Sequence, residues 1–160
     1  MRHRKNIFPL TALVVLCLLS VLAMTLALLG TAPPGFVPPA LEAQAVSGLP
    51  EVPPEHWSQV SGGSLGFSVH VCGQFPVRDG AAQLWFCNDS SNTVWMKVRI
   101  LDAQNGILGE SGLLRPGEYV QWVMLCRIPQ SGERLALKIM AYEPDTYHSA
   151  GTVTLYTVSP

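Results

Sequence analysis

Val94-Trp95-Met96-Lys97-Val98-Arg99-Ile100 places apolar Val94, Met96, Val98 and Ile100 at every second position, with Trp95, Lys97 and Arg99 between them. Successive side chains of an extended strand point to opposite faces, so a period of two describes a strand with one buried side. A helix would space its apolar residues three and four apart. The segment therefore predicts a strand whose Val94/Ile100 side packs on a core and whose Trp95/Arg99 side faces out.

The pattern recurs on either side of it. Leu135, Leu137, Ile139 and Ala141 alternate with Ala136, Lys138 and Met140, and Val153 and Leu155 alternate with Thr152 and Thr154. Further strands are predicted over residues 67–72, 83–87, 107–110 and 119–126. Asp79-Gly80, Asn105-Gly106, Pro116-Gly117 and Ser131-Gly132 supply turns between them. Asn105-Gly106, set between two apolar stretches, is the strongest hairpin signal of the chain. About seven short strands with short connections predict an all-β fold, an antiparallel sandwich of immunoglobulin-like size over residues 65–160. A small closed barrel is the alternative architecture. A parallel sheet would need helical crossovers, and no helical pattern in this region is long enough to provide them.

Towards the N-terminus, residues 10–29 read LTALVVLCLLSVLAMTLALL, twenty positions without a charge, directly behind Arg2-His3-Arg4-Lys5. A helix of that length spans about 30 Å, the thickness of a bilayer's hydrocarbon core. The apolar core of a cleaved signal peptide is shorter, roughly 7–15 residues. The small residues Gly30-Thr31-Ala32 are followed by Pro33, which disfavours cleavage there, and Ala43-Gln44-Ala45 lies far from the apolar run. Residues 7–30 are therefore expected to be a retained transmembrane signal-anchor. Three of the ten Lys and Arg residues lie in the first five positions, and the next is Arg78. Positive residues flanking a membrane segment stay in the cytoplasm, so residues 1–6 form a cytoplasmic basic tail and the C-terminal domain lies outside. The expectation is a single-pass protein of the cell membrane.

Seven prolines, at 33, 34, 38, 39, 50, 53 and 54, mark residues 31–64 as a proline-rich stalk, because proline blocks helix and ladder hydrogen bonding and favours extended chain. Beyond residue 30 the chain carries seven Lys and Arg against eleven Asp and Glu, a formal balance of −4. That balance gives no electrostatic footprint for nucleic acid and no attraction to anionic lipid head groups.

Ser111-Gly112-Leu113-Leu114-Arg115-Pro116-Gly117-Glu118, then a strand, then Tyr142-Glu143-Pro144-Asp145, resembles a pattern in small membrane-anchored surface proteins of Gram-positive bacteria. The resemblance covers roughly residues 80–158. It implies an N-terminal membrane segment followed by one Ig-like sandwich, and it carries over no catalytic residue. Those proteins usually have an Asn-Pro-type turn before the central strand, where this chain has Asn88-Asp89-Ser90-Ser91-Asn92 without the proline.

Candidate chemistry is sparse. Cys72, Cys87 and Cys126 fall in the domain placed outside the cytoplasm, where disulfides persist. Cys72 and Cys87, at the ends of consecutive strands, form the candidate pair, against the reading that all three are reduced packing residues. There is no C-x-x-C, no G-x-S-x-G, no H-E-x-x-H and no glycine-rich phosphate loop. No histidine closely follows Cys126, as a blue-copper ligand set requires. No enzymatic activity, metal or cofactor is therefore expected. Trp95, Lys97 and Arg99, turned outward together, are the candidate binding residues. The competing reading is a tryptophan stacked on an arginine or covered by a loop. The expected function is a non-enzymatic, membrane-tethered, extracytoplasmic binding or envelope-assembly module with an envelope protein or glycan as partner. The alternative is a tethered or secreted protease inhibitor presenting residues 88–92 or 145–150, and an envelope redox or metal protein ranks third.

Overall fold

A computed structural model describes residues 8–30, 36–51, 57–61 and 66–160. The basic tail and the prolines at 33, 34, 53 and 54 lie outside these residues. The chain divides into two compact units, Met1–Val37 and Pro38–Pro160.

The first unit contains one helix, α1 (Phe8–Gly30), of 23 residues with neither an acidic first turn nor a basic last turn. Side chains within it are described over residues 12–25 only, and all of these are exposed. Among the described residues no helix is long and apolar enough to cross a membrane.

The second unit is all-β. Its strands are β1 (Val46–Ser47), β2 (Ser58–Ser61), β3 (Ser68–Val71), β4 (Val77–Arg78), β5 (Ala81–Asn88), β6 (Trp95–Leu101), β7 (Ile107–Glu110), β8 (Glu118–Met124), β9 (Arg134–Tyr142) and β10 (Ser149–Val158). They form two antiparallel sheets. One has the order β1-β8-β5-β3-β2, with β4 also on β5, and the other has the order β10-β9-β6-β7. Each of the seven strands read from the sequence has its counterpart among β3 and β5–β10.

Alternation builds the core as expected. Met96, Val98 and Ile100 of β6 and Leu137, Ile139 and Ala141 of β9 are fully buried, and they meet Val69, Val71, Leu84 and Phe86 from the other sheet. Burying side chains of this size stabilises the fold by roughly 1.5–3 kcal/mol each before chain entropy is set against it. The Asn105-Gly106 signal marks the β6–β7 hairpin. Its loop is longer than two residues, however: Asp102 N–H donates to Gly106 O at 2.9 Å, and the Asp102 carboxylate accepts from the N–H groups of Gln104 and Gly106. Asn105 takes a positive φ of 64°, a conformation asparagine tolerates better than most residues.

The proline-rich segment contributes to the sandwich as well. Leu41 forms a parallel bridge with Leu113, and Glu42 N–H donates to Leu113 O at 2.9 Å. The Glu42 carboxylate accepts from Gly112 N–H at 2.6 Å, and β1 then pairs with β8. These contacts fall in the proline-free window 40–49, where every residue keeps its N–H. Pro38, Pro39 and Pro50 flank the ladder without interrupting it. Ser58–Ser61 likewise forms an edge strand against β3. Neither β1 nor β2 has an apolar alternation to announce it.

One end of the sandwich is tied by two buried asparagines. Asn88 Nδ2 donates to the carbonyls of Val94 (2.8 Å) and Leu114 (3.0 Å), and Asn88 Oδ1 accepts from Asn92 Nδ2 at 2.7 Å. Asn92 in turn exchanges hydrogen bonds with the backbone of Ser68, accepting at 2.8 Å and donating at 2.5 Å. The segment 88–92 thereby holds β3, β5, the start of β6 and the Leu114 segment together.

Candidate functional site

The outer face of the sheet β10-β9-β6-β7 is laid out by its register. One row across it runs Glu110, Arg99, Lys138, Thr154, and the next runs Ile107, Leu101, Ala136, Tyr156. All of these except Glu110, with Asn105 from the hairpin loop, line an open depression of about 350 Å³. Ile107 is half exposed, and Tyr156 is 85% exposed at the rim.

Charge is unevenly distributed there. Glu110 accepts from Arg99 Nε at 2.7 Å and lies 3.0 Å from Lys97 Nζ, so one carboxylate serves two cations. Burial alone would raise the Glu110 pKa, but the hydrogen bonds from Arg99 and Lys97 outweigh it, and the net shift is downward from the ordinary glutamate value. Lys138, cross-strand from Arg99, belongs to no ion pair among the described residues. Lys97, Arg99 and Lys138 thus gather near one carboxylate, Glu110, inside a domain whose overall balance is acidic.

The three residues singled out in the sequence do share one face, but their settings differ. Trp95 is the covered tryptophan of the competing reading: Tyr147 packs edge-on against it with ring centroids 5.6 Å apart, and the Arg115 guanidinium lies 5.9 Å from its ring centre. The Lys97 side chain is only 8% exposed and is held by Glu110. Arg99 alone reaches the depression, beside Lys138, Asn105 and Tyr156. Lys138 was legible, since it stands at an outward position of an alternating strand. Its adjacency to Arg99 was not, because that needs the register of two strands about forty residues apart.

The cysteines do not come together. Cys72 and Cys87 are both free thiols. Cys72 joins the apolar core, whereas Cys87 follows core-facing Phe86 and lies in register with His70 and Tyr119 on the other side of its sheet. The expected pair is therefore absent here for a reason of orientation. Burial pushes the Cys72 thiol up to about 11, and burial together with the neighbouring Asp89 charge pushes Cys87 up to about 11. Neither thiol is a ready nucleophile at neutral pH. Cys126 is exposed.

Around Cys87, aromatic residues cover the outer face of the first sheet. Trp57 lies 4.6 Å from His70 between ring centroids and donates its Nε1–H to Trp85 O at 3.1 Å, and Trp85 lies 6.0 Å from Tyr119. His70 Nδ1 is buried without a hydrogen bond, 3.7 Å from the Asp89 carboxylate. Hydrogen bonds from Ser91, aided by His70, hold Asp89 below the ordinary aspartate range. Among the described residues no group of three or more His, Cys, Asp and Glu side chains is arranged to hold a metal ion.

No known protein family, curated protein or solved structure matches this chain.

Proposed function

We propose that the chain is a non-enzymatic, membrane-tethered binding module, with its sandwich outside the cytoplasm and the depression on the outer sheet as its docking face for an envelope protein or glycan. The observation that carries this reading is the pairing of Lys138, a cation without a counter-ion among the described residues, with Arg99 beside the exposed Tyr156 ring. An amphipathic aromatic rim around convergent polar groups is the usual make-up of a recognition surface. Positive charge on the face of an acidic domain favours a ligand bearing carboxylate or phosphate.

The membrane reading rests on the twenty uncharged residues behind Arg2-His3-Arg4-Lys5. An immunoglobulin-like identity is supported by strand order. Taking β3, β5, β6, β7, β8, β9 and β10 as strands A, B, C, C′, E, F and G gives A-B-E in one sheet and G-F-C-C′ in the other. The same architecture is implied by the resemblance to Gram-positive surface proteins. At residues 88–92 the inhibitor reading has less support, because Asn88 and Asn92 are spent on structural hydrogen bonds and leave only Ser90 and Ser91 exposed there, whereas Asp145, Thr146, His148 and Ser149 of the other candidate loop are exposed.

The test embeds the full chain in nanodiscs and measures binding to a panel of neutral and acidic envelope glycans and purified envelope proteins. Binding that is lost in Lys138→Glu supports the proposal. Binding indifferent to Lys138→Glu and Arg99→Glu, or turnover of a bound ligand, would overturn it. A C-terminal reporter active only outside the cytoplasm tests the topology separately.

A further inference from the structure

The two sheets end in four edges of unequal length. Three are short: β1 has two residues, β2 four and β7 four. The fourth, β10, has ten, and among the described residues it pairs only with β9. A long open edge is a template for another strand, and proteins commonly blunt such edges with proline, lysine or inward-pointing charge. SAGTVTLYTV contains none of these. Its regular stretch, Thr152 to Val158, is rich in residues that favour extended chain.

The hydrogen-bond parity of the sheet identifies the unused groups. Met96 exchanges backbone hydrogen bonds with Leu114, and Val98 O accepts from Ser111 N–H, so even-numbered residues of β6 face away from β9. Trp95, Lys97, Arg99 and Leu101 therefore bond to Tyr142, Met140, Lys138 and Ala136. The intervening residues of β9 bond to β10 through Val153, Leu155 and Thr157. The backbone N–H and C=O groups of Thr152, Thr154, Tyr156 and Val158 are left pointing along the open edge.

We infer that this edge is a homodimerisation surface, on which β10 of a second copy pairs antiparallel with β10 of the first. The occupant follows from self-complementarity. Two-fold pairing sets residue i against j and j against i, and a strand without charge meets no repulsion from its own image. Centred on Leu155, the pairing sets Thr154 of each copy against Tyr156 of the other, and Thr152 against Val158. All four outward-facing residues then form hydrogen-bonded pairs, and the exposed Tyr156 and Val158 side chains gain neighbours. The two four-stranded sheets join into one, and the two-fold axis closes the assembly without leaving a second long edge.

Sedimentation of the full chain in non-ionic detergent tests the inference. The wild type is expected to sediment at twice the protein mass of Thr154→Pro. Proline at 154 removes one edge-facing donor and leaves the β9 ladder intact, as edge strands allow. Circular dichroism checks that the variant is folded. If it is not, Thr154→Lys/Tyr156→Lys replaces it, since this variant sets lysine against lysine across the dimer axis. A monomeric wild type would overturn the inference. So would a dimer that persists in the folded variant, which would place association elsewhere, for instance on α1.

Discussion

At the scale of single residues, this sandwich sets polar groups in two different situations. Asn88 is fully buried and makes three side-chain hydrogen bonds, so truncation strands two carbonyls and one amide partner at once. Leaving buried polar groups unpaired costs on the order of 1–3 kcal/mol each. Asn88→Ala is expected to lower unfolding stability by about 3 kcal/mol in urea titration, whereas Ser90→Ala, at an exposed position two residues on, should change it by less than about 0.5 kcal/mol. Equal effects would contradict the structural role given to this segment. Glu110 presents the second situation. Its folded pKa lies below the ordinary value near 4.5, so its contribution is complete above that value and is lost as pH falls through the lowered one. Glu110→Gln should therefore be less stable than wild type at pH 7, where Lys97 loses its counter-charge, and the gap should narrow on acidification below about pH 4.5. A gap independent of pH would show that the ion cluster contributes nothing. Asn88 and Asn92 illustrate the limit of reading such residues from sequence: Asn-Asp-Ser-Ser-Asn is turn chemistry wherever it occurs. That its two ends are buried depends on Ser68 and Leu114, which are remote in the chain.

At the scale of elements, legibility follows the hydrophobic pattern. Strands β6 and β9 were readable because one face of each is wholly apolar and buried, although Lys97, Leu101, Ala136 and Met140 on the opposite face are buried as well. By contrast β1 and β2 are short, largely polar edge strands held by backbone hydrogen bonds to β8 and β3, and such bonds leave no imprint on residue type. Prolines nearby pointed to a spacer, since nothing local distinguishes a proline-free window that pairs from one that does not. The strap at 40–47 makes a sharp prediction. A Cβ on Gly112 would lie 2.6 Å from backbone atoms of Glu42, closer than side chains are found to approach. Gly112→Ala should displace the strap, and amide exchange at Glu42 and Gly48 should accelerate by at least about tenfold while β9 amides keep their protection. Unchanged exchange at Glu42 would contradict the contact. At β10 the sequence showed a strand but not an edge, because which strand ends a sheet is decided by topology.

At the scale of the whole molecule, an acidic domain presents one face on which Lys97, Arg99 and Lys138 gather near the Glu110 carboxylate. The fold class followed from local periodicity and turn chemistry, but the proposed docking face depends on register across β6, β9 and β10, where Arg99, Lys138 and Thr154 come side by side. Because its attraction is electrostatic and solvent-accessible, binding at this face should weaken as salt rises, over a range set by a Debye length of about 10 Å at 0.1 M. The most direct measurement is the affinity of the nanodisc-embedded chain for an envelope ligand of the proposed kind, compared between wild type and Lys138→Glu at low and at physiological salt. The account predicts a loss of about tenfold or more in the variant, equivalent to about 1.4 kcal/mol, and a smaller difference at higher salt. Full affinity in Lys138→Glu at both salt concentrations would contradict it.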